Sequence, residues 1–282
     1  MVIKLFALLI FCDHINFTIA QNINVLSEAC EKGNKKSCQE LANLALKDAN
    51  DSVRIQAVRN ISDQNILSEI AVNDRCNEVR LAALFGLKNQ QIIENIAIND
   101  IVWPIRVAAV KKIINQSVLA GIAKNDKNYD VSKAAVLMIT SNTILIDLAL
   151  NSEKDFIRET AVSKINNQKI LKEIAKNDRN ELVRVGAVIN ITDQNILNDI
   201  VENSENSRLQ VKACEKIEDQ QVLIDLALFN NLPELRKVAV ERIINMTVIE
   251  NIAKNDEDNG VRITAIKRLY NKALLTELVT SQ

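Results

Sequence analysis

Apolar residues return along this chain at helical spacing, in short stripes broken by polar stops, and the whole pattern repeats every 26 residues from Asp51 to the C-terminus. In the first unit Val53, Ala57, Val58 and Ile61 mark one face of a helix, and Ile66, Leu67, Ile70 and Ala71 mark the face of a second. Nine such units follow one another without insertion or deletion. One column is alanine in all of them: Ala57, Ala83, Ala109, Ala135, Ala161, Ala187, Ala213, Ala239 and Ala265. A small side chain held at one place in every copy predicts a close helix–helix approach there. Helices this short are marginal alone in water, so the pattern predicts stacking of unit on unit.

The polar stops carry helix-end chemistry. Asp63, Asn89, Asn115, Ser141, Asn167, Asp193, Asp219, Asn245 and Asn271 each precede the second helix of a unit and suit its N-cap, where a side-chain oxygen accepts from free backbone N–H groups. Asn73, Asn99, Asn125, Asn151, Asn177, Asn203 and Asn255 follow that helix and suit a left-handed helix end or a polar turn. Pro104 and Pro233 fall in the first turn of a first helix, where a missing N–H costs little.

Composition narrows the picture further. Five Gly and two Pro in 282 residues leave little material for hairpins or glycine-rich phosphate loops, so the chain reads as all-α. With 35 basic and 36 acidic residues the net charge is -1, which offers no global field for nucleic acid.

An Asp followed six residues later by an Arg completes the repeat: Asp48 and Arg54, Asp74 and Arg80, Asp100 and Arg106, Asp178 and Arg184, Asp256 and Arg262. With Val53-Arg54, Val79-Arg80, Val183-Arg184 and Val261-Arg262, these positions resemble the HEAT family of armadillo-type helical repeats. The units are shorter than usual for that family and closer to the short bacterial HEAT-like or leucine-rich variant repeats. The resemblance implies a right-handed α-solenoid of about nine two-helix repeats, with a charge ladder running along the stack. Some rungs are altered: Ser132 stands for the Arg, Ser152 for the Asp, and Ser204 with Gln210 lacks both charges.

The two ends differ from the array. Residues 1–20 carry Lys4, an apolar block from Leu5 to Cys12, and the small residues Thr18 and Ala20, the pattern of a secretory signal cleaved before Gln21. An amphipathic first helix is the alternative reading, and the apolar block is too short to span a bilayer. The only histidine, His14, falls in this segment, so the mature chain would lack the commonest general base and metal ligand. Residues 21–50 read as an N-terminal helical-hairpin cap on the array of residues 51–282. A Gly33-Asn34 turn separates Cys30 from Cys38, and their spacing resembles the disulfide clamp of secreted cysteine-rich tetratricopeptide-like repeats. That resemblance implies a Cys30–Cys38 bond, with two free thiols as the alternative. Cys76 and Cys214 read as unpaired. Thr276, Glu277, Thr280, Ser281 and Gln282 give the last helix a polar, solubilising end.

No nucleotide loop, nucleophile elbow or metal-ligand spacing is found, so no catalytic residue, cofactor or metal is expected. Two surfaces are candidates for a protein partner. Trp103, Tyr129 and Phe156 occupy the variable loops of successive units and suit a hot-spot edge. Phe85, Leu137, Met138 and Ile189 sit near the end of the first helix and suit a groove for an extended peptide or a helix. The expectation is a non-catalytic interaction scaffold that is exported, either periplasmic or extracellular. The alternatives are an enzyme of the chromophore-lyase type, in which such repeats also occur, and a cell-wall glycan-binding protein.

Overall fold

The computed structural model describes the backbone of residues 21–280 and the side chains of residues 21–270; the signal-like segment 1–20 and the side chains of the polar C-terminal end lie outside them. The described residues are helical throughout, with no strand. They form two compact units, one ending at Ile144 and the other beginning at Leu145.

The first unit opens with a helix through residues 21–31, here α1. It continues with α2 (Lys35–Lys47), α3 (Asp51–Arg59), α4 (Gln64–Asn73), α5 (Asn77–Gly86), α6 (Gln90–Asn99), α7 (Trp103–Val110), α8 (Gln116–Asn125) and α9 (Tyr129–Met138). Gly33 turns the chain between α1 and α2 with φ of 88°, a left-handed conformation that glycine adopts at no steric cost. The side chain of Asn34 then caps α2 by accepting from the backbone of Lys36 and Ser37. Across this turn Cys30 and Cys38 are joined by a disulfide, their Cα atoms 4.7 Å apart.

The helices that lie side by side are α2 with α3, α4 with α5, α6 with α7, and α8 with α9, each pair closed by an Asp-containing loop. A second set of contacts runs from α3 to α5, α5 to α7 and α7 to α9. Ala57, Ala83, Ala109 and Ala135 lie on these helices and expose none of their surface. Their missing bulk is what allows the close approach.

The second unit contains α11 (Asp155–Val162), α12 (Gln168–Asn177), α13 (Glu181–Asn190), α14 (Gln194–Asn203), α15 (Ser207–Cys214), α16 (Gln220–Phe229), α17 (Pro233–Arg242), α18 (Met246–Asn255) and α19 (Asn259–Thr280); α10 (Asn142–Asn151) spans the division. Its packing follows the same rule, α12 with α13 and α14 with α15, while α11, α13, α15, α17 and α19 meet in succession. Ala161, Ala187, Ala213, Ala239 and Ala265 are again fully buried. Serial stacking of short helix pairs puts the protein in the α-solenoid class.

The N-caps hold the register within each repeat. Asp63, Asn89, Asn115, Asn167, Asp193, Asp219 and Asn245 each accept from two backbone N–H groups in the first turn of the following helix. Asn271 departs from the expected pattern, because α19 runs straight through it. Elsewhere a glutamine one residue after the cap clamps the linker of the next repeat. Gln64 donates to Gly86 O and accepts from Lys88 N, and Gln90 does the same to Lys112 O and Ile114 N. Gln168, Gln194 and Gln220 repeat the arrangement in the second unit. Met246 occupies that position in the last repeat and has no amide to offer the residues that follow α18 by one repeat.

The asparagines after the second helix also differ from expectation. They are the last helical residues, and no non-glycine residue among those described has positive φ. The chain instead leaves the helix in extended geometry at the next residue, such as Asp74 with φ -64° and ψ 137°. That residue turns the loop through its side chain, Asp74 Oδ1 accepting from Cys76 N at 2.8 Å. The freed Asn amides bond back along their own helix, as Asn99 does to Asn95.

The same aspartates receive arginines, but from the preceding repeat rather than from six residues on. Arg54 donates through Nε and Nη2 to Asp74 at 2.8 and 2.9 Å, while its Nη1 donates to the carbonyl of Asp48 at 2.8 Å. The spacing of six therefore joins a guanidinium to a backbone oxygen, and the carboxylate lies twenty residues ahead. Arg80–Asp100 and Arg106–Asp126 continue the series in the first unit, and Arg158–Asp178 and Arg236–Asp256 carry it in the second. At Ser132 the hydroxyl keeps the carbonyl contact, to Asp126 O. At Gln210 the amide reaches Val201 O instead.

These bidentate pairs are almost wholly buried, so they behave unlike surface ion pairs. Burial pushes the Asp74 carboxyl up, but the Arg54 hydrogen bond, the Cys76 N–H and the nearby positive charges outweigh it and hold the group below its ordinary value of 3.8. A carboxyl with a lowered folded-state value contributes stability that is complete above the unfolded value and lost as pH falls through the folded one. Acid titration should therefore show a loss of stability beginning near pH 3.8 and deepening below it, with part of that slope absent in Asp74→Asn. At neutral pH Asp100→Asn, which strands the buried Arg80 charge, should cost about 3 kcal/mol in urea unfolding.

Candidate interaction surface

With caps, glutamines and arginines occupied inside the stack, the loops and helix ends are left to vary. In the first unit Trp103 and Tyr129 are the opening residues of α7 and α9, which pack against one another. They stand at equivalent corners of adjacent repeats, 44% and 48% exposed. Lys133 lies over the Tyr129 ring, 5.4 Å from its centre, and its ammonium bonds the phenol oxygen. Ile101, two residues before Trp103, is 89% exposed and extends the apolar corner.

The helix-end candidates lie elsewhere. Phe85 closes α5 at 70% exposure and Leu137 closes α9, with Lys111 at the end of α7 in the corresponding position. Met138 is only half-buried, and Ile114, in the linker after α7, is exposed on this same edge. Helices of this length are about 15 Å long. Trp103 and Tyr129 therefore lie at the N-terminal ends of these helices and Phe85 and Leu137 at the C-terminal ends, forming two edges and not one patch. In the second unit Phe156 is half-buried beneath the Lys154 ammonium, 6.0 Å from its ring centre. Ile189 is exposed near the end of α13, between the exposed Ser163 and Glu215 of the neighbouring helices in its column.

Cations line the second edge for a structural reason. Lys112 donates to the carbonyls of Leu84 and Phe85 at 2.6 and 2.7 Å, closing the C-terminal end of α5. Lys216 does the same for Val188 and Ile189, and Arg268 for Val240 and Ile243. A cation here satisfies orphan carbonyls and the negative end of the helix dipole. Burial holds the Lys112 and Lys216 ammonium groups below the ordinary lysine range. These groups are thus held by backbone oxygens and do not serve as free surface charges.

Among the described residues the two free thiols have different surroundings. Cys214 is buried and its thiol is pushed up to about 12 by loss of solvent. Cys76 is half-buried, donates to Glu78 at 3.0 Å, and is raised first by burial and then by that carboxylate. Both are poor nucleophiles. Among the described residues no group of three or more His, Cys, Asp or Glu side chains is placed to hold a metal ion, and no helix is long and apolar enough to cross a membrane.

No protein-family model matches the chain, and no curated protein matches it. Among solved structures it superposes on a leucine-rich repeat variant with a novel repetitive structural motif, at 15% identity over 79% of this chain and 88% of the other, with a TM-score of 0.58. The Escherichia coli protein YibA aligns at 21% identity over 88% and 96%, with a TM-score of 0.35, and a designed armadillo repeat protein at 18% over 88% and 96%, with a TM-score of 0.16. The last two superpose too loosely to carry an argument. The first places the chain among proteins built from repeated short helices.

Side chains that wait for a partner contribute little to folding. Phe85→Ala should change the free energy of unfolding by less than about 0.5 kcal/mol. A larger loss in urea unfolding would mean that the ring packs within its own repeat.

Proposed function

We propose that this protein is a non-catalytic, HEAT-like interaction scaffold whose exposed repeat edges bind a protein partner outside the cytoplasm. The observation that carries the reading is the corner formed by Ile101, Trp103 and Tyr129, apolar and aromatic side chains exposed on adjacent repeats. Large rings on a rigid frame lose little entropy on binding and supply most of the affinity at interfaces. The near-neutral charge gives nucleic acid no field to follow. Export is supported by the leader-like residues 1–20 and by the Cys30–Cys38 bond, which suits an oxidising compartment.

Cross-linking capture from native envelope and medium fractions tests this, with the chain from Gln21 onward as bait beside Trp103→Ala/Tyr129→Ala. The expected result is a protein held by the first and lost from the second. Equal capture by both would remove the loop edge from the reading, and no capture by either would contradict the scaffold itself.

A further inference from the structure

One rung of the arginine ladder keeps its cation and has lost its acid. In the intact rung before it, Arg158 gives Nη1 to Ser152 O at 2.8 Å and presents Nε and Nη2 to Asp178 at 2.7 and 3.0 Å. Arg184 keeps the first contact, Nη1 to Asp178 O at 2.7 Å, so its guanidinium is anchored in the same way. Twenty residues on, however, stands Ser204. Its hydroxyl is turned into its own loop, accepting from Asn206 N at 3.2 Å. Among the described residues no acceptor meets the Nε–Nη2 edge of Arg184, which is half-buried where Arg158 is buried. The rungs at Ser132 and Gln210 leave no such charge, since these residues replace the arginine itself.

The vacated position is a cleft of about 440 Å³ between α12, α14 and the loop leading to α15, lined among others by Arg184, Ser204, Asn203, Asn206, Lys172 and Lys176. Lys172 is held by Asp199 at 2.7 Å, and Glu205 also lines the cleft, so its cations are only partly balanced by acids. Ile200, Ala175 and Leu209 give it an apolar floor.

The geometry points to a carboxylate-binding site, in which an external carboxylate takes the bidentate place on Arg184 that aspartate fills in the intact rungs. A planar guanidinium edge matches a carboxylate in shape and charge. Two sources share this chemistry: a free small carboxylate, and an Asp or Glu side chain on a peptide. The site is built from residues of the second unit alone and does not depend on the scaffold reading.

The test follows the Nε–H resonances of arginine in the whole protein by 15N NMR, with sodium succinate in one titration and a blocked Gly-Asp-Gly-Asp-Gly peptide in another, both at matched ionic strength. The Arg184 signal should move and saturate. Saturation by both probes marks a small-molecule pocket, and saturation by the peptide alone marks a dock for acidic chain. Ser204→Asp rebuilds the missing acid inside the protein. It should weaken binding by at least about tenfold while raising Tm, which also shows that the variant is folded. Ser204→Ala should bind as the native chain does. The inference is overturned if neither probe saturates the Arg184 signal, or if Ser204→Asp responds as the native protein does.

Discussion

The structure depends on a three-way junction in which one guanidinium ties together two loops. Each intact arginine holds the carbonyl that opens its own loop and the carboxylate that opens the next, and that carboxylate at the same time turns its own loop by accepting a backbone N–H. All of these groups are buried, so each must be satisfied or the repeat is destabilised. A shift of register between repeats would break both sides of the junction at once. The alanine column sets how near the helices come, and the arginine sets how far along one another they lie.

The remaining polar contacts extend the same principle to the other end of the helices. Glutamines clamp successive linkers, and lysines or arginines close the carbonyl ends of the helix one repeat back. Backbone groups at helix ends are thereby satisfied by side chains of a neighbouring repeat, which makes each repeat a structural requirement of the one before it. Positions outside these contacts are free to change, and they hold the exposed Ile101, Trp103, Phe85 and Leu137. Where a contact residue itself changes, as at Ser204, the frame survives and a cavity with unspent hydrogen-bonding capacity opens in its place.

Much of the fold was legible in the sequence because it rests on residue identity at fixed spacing. The period, the alanine column and seven of the caps needed no tertiary information. The arginine's true partner was not legible, since Asp48 and Asp74 are chemically the same and only packing decides which offers a carboxylate and which a carbonyl. The glutamine and lysine columns were visible as repeats, yet their partners are backbone atoms 22 to 28 residues away, which no residue type announces. Asn271 does not cap a helix, because the backbone of α19 continues through it, and its residue type alone did not distinguish it from the seven asparagines and aspartates that do cap. For the candidate surface, apolar identity alone did not separate the exposed Phe85 from the half-buried Met138 and Phe156.

The most direct measurement of whether the arginine junction governs the stack is native-state hydrogen exchange, read repeat by repeat. The backbone amides of α5 to α8, whose loops carry the intact Arg80–Asp100 and Arg106–Asp126 junctions, should open only with high free energy. Those of α13 to α15, where Arg184 lacks an acid and Gln210 replaces the arginine, should open more readily. Equal protection in the two stretches, or greater protection in α13 to α15, would contradict the account and leave the apolar contacts alone to hold the repeats together.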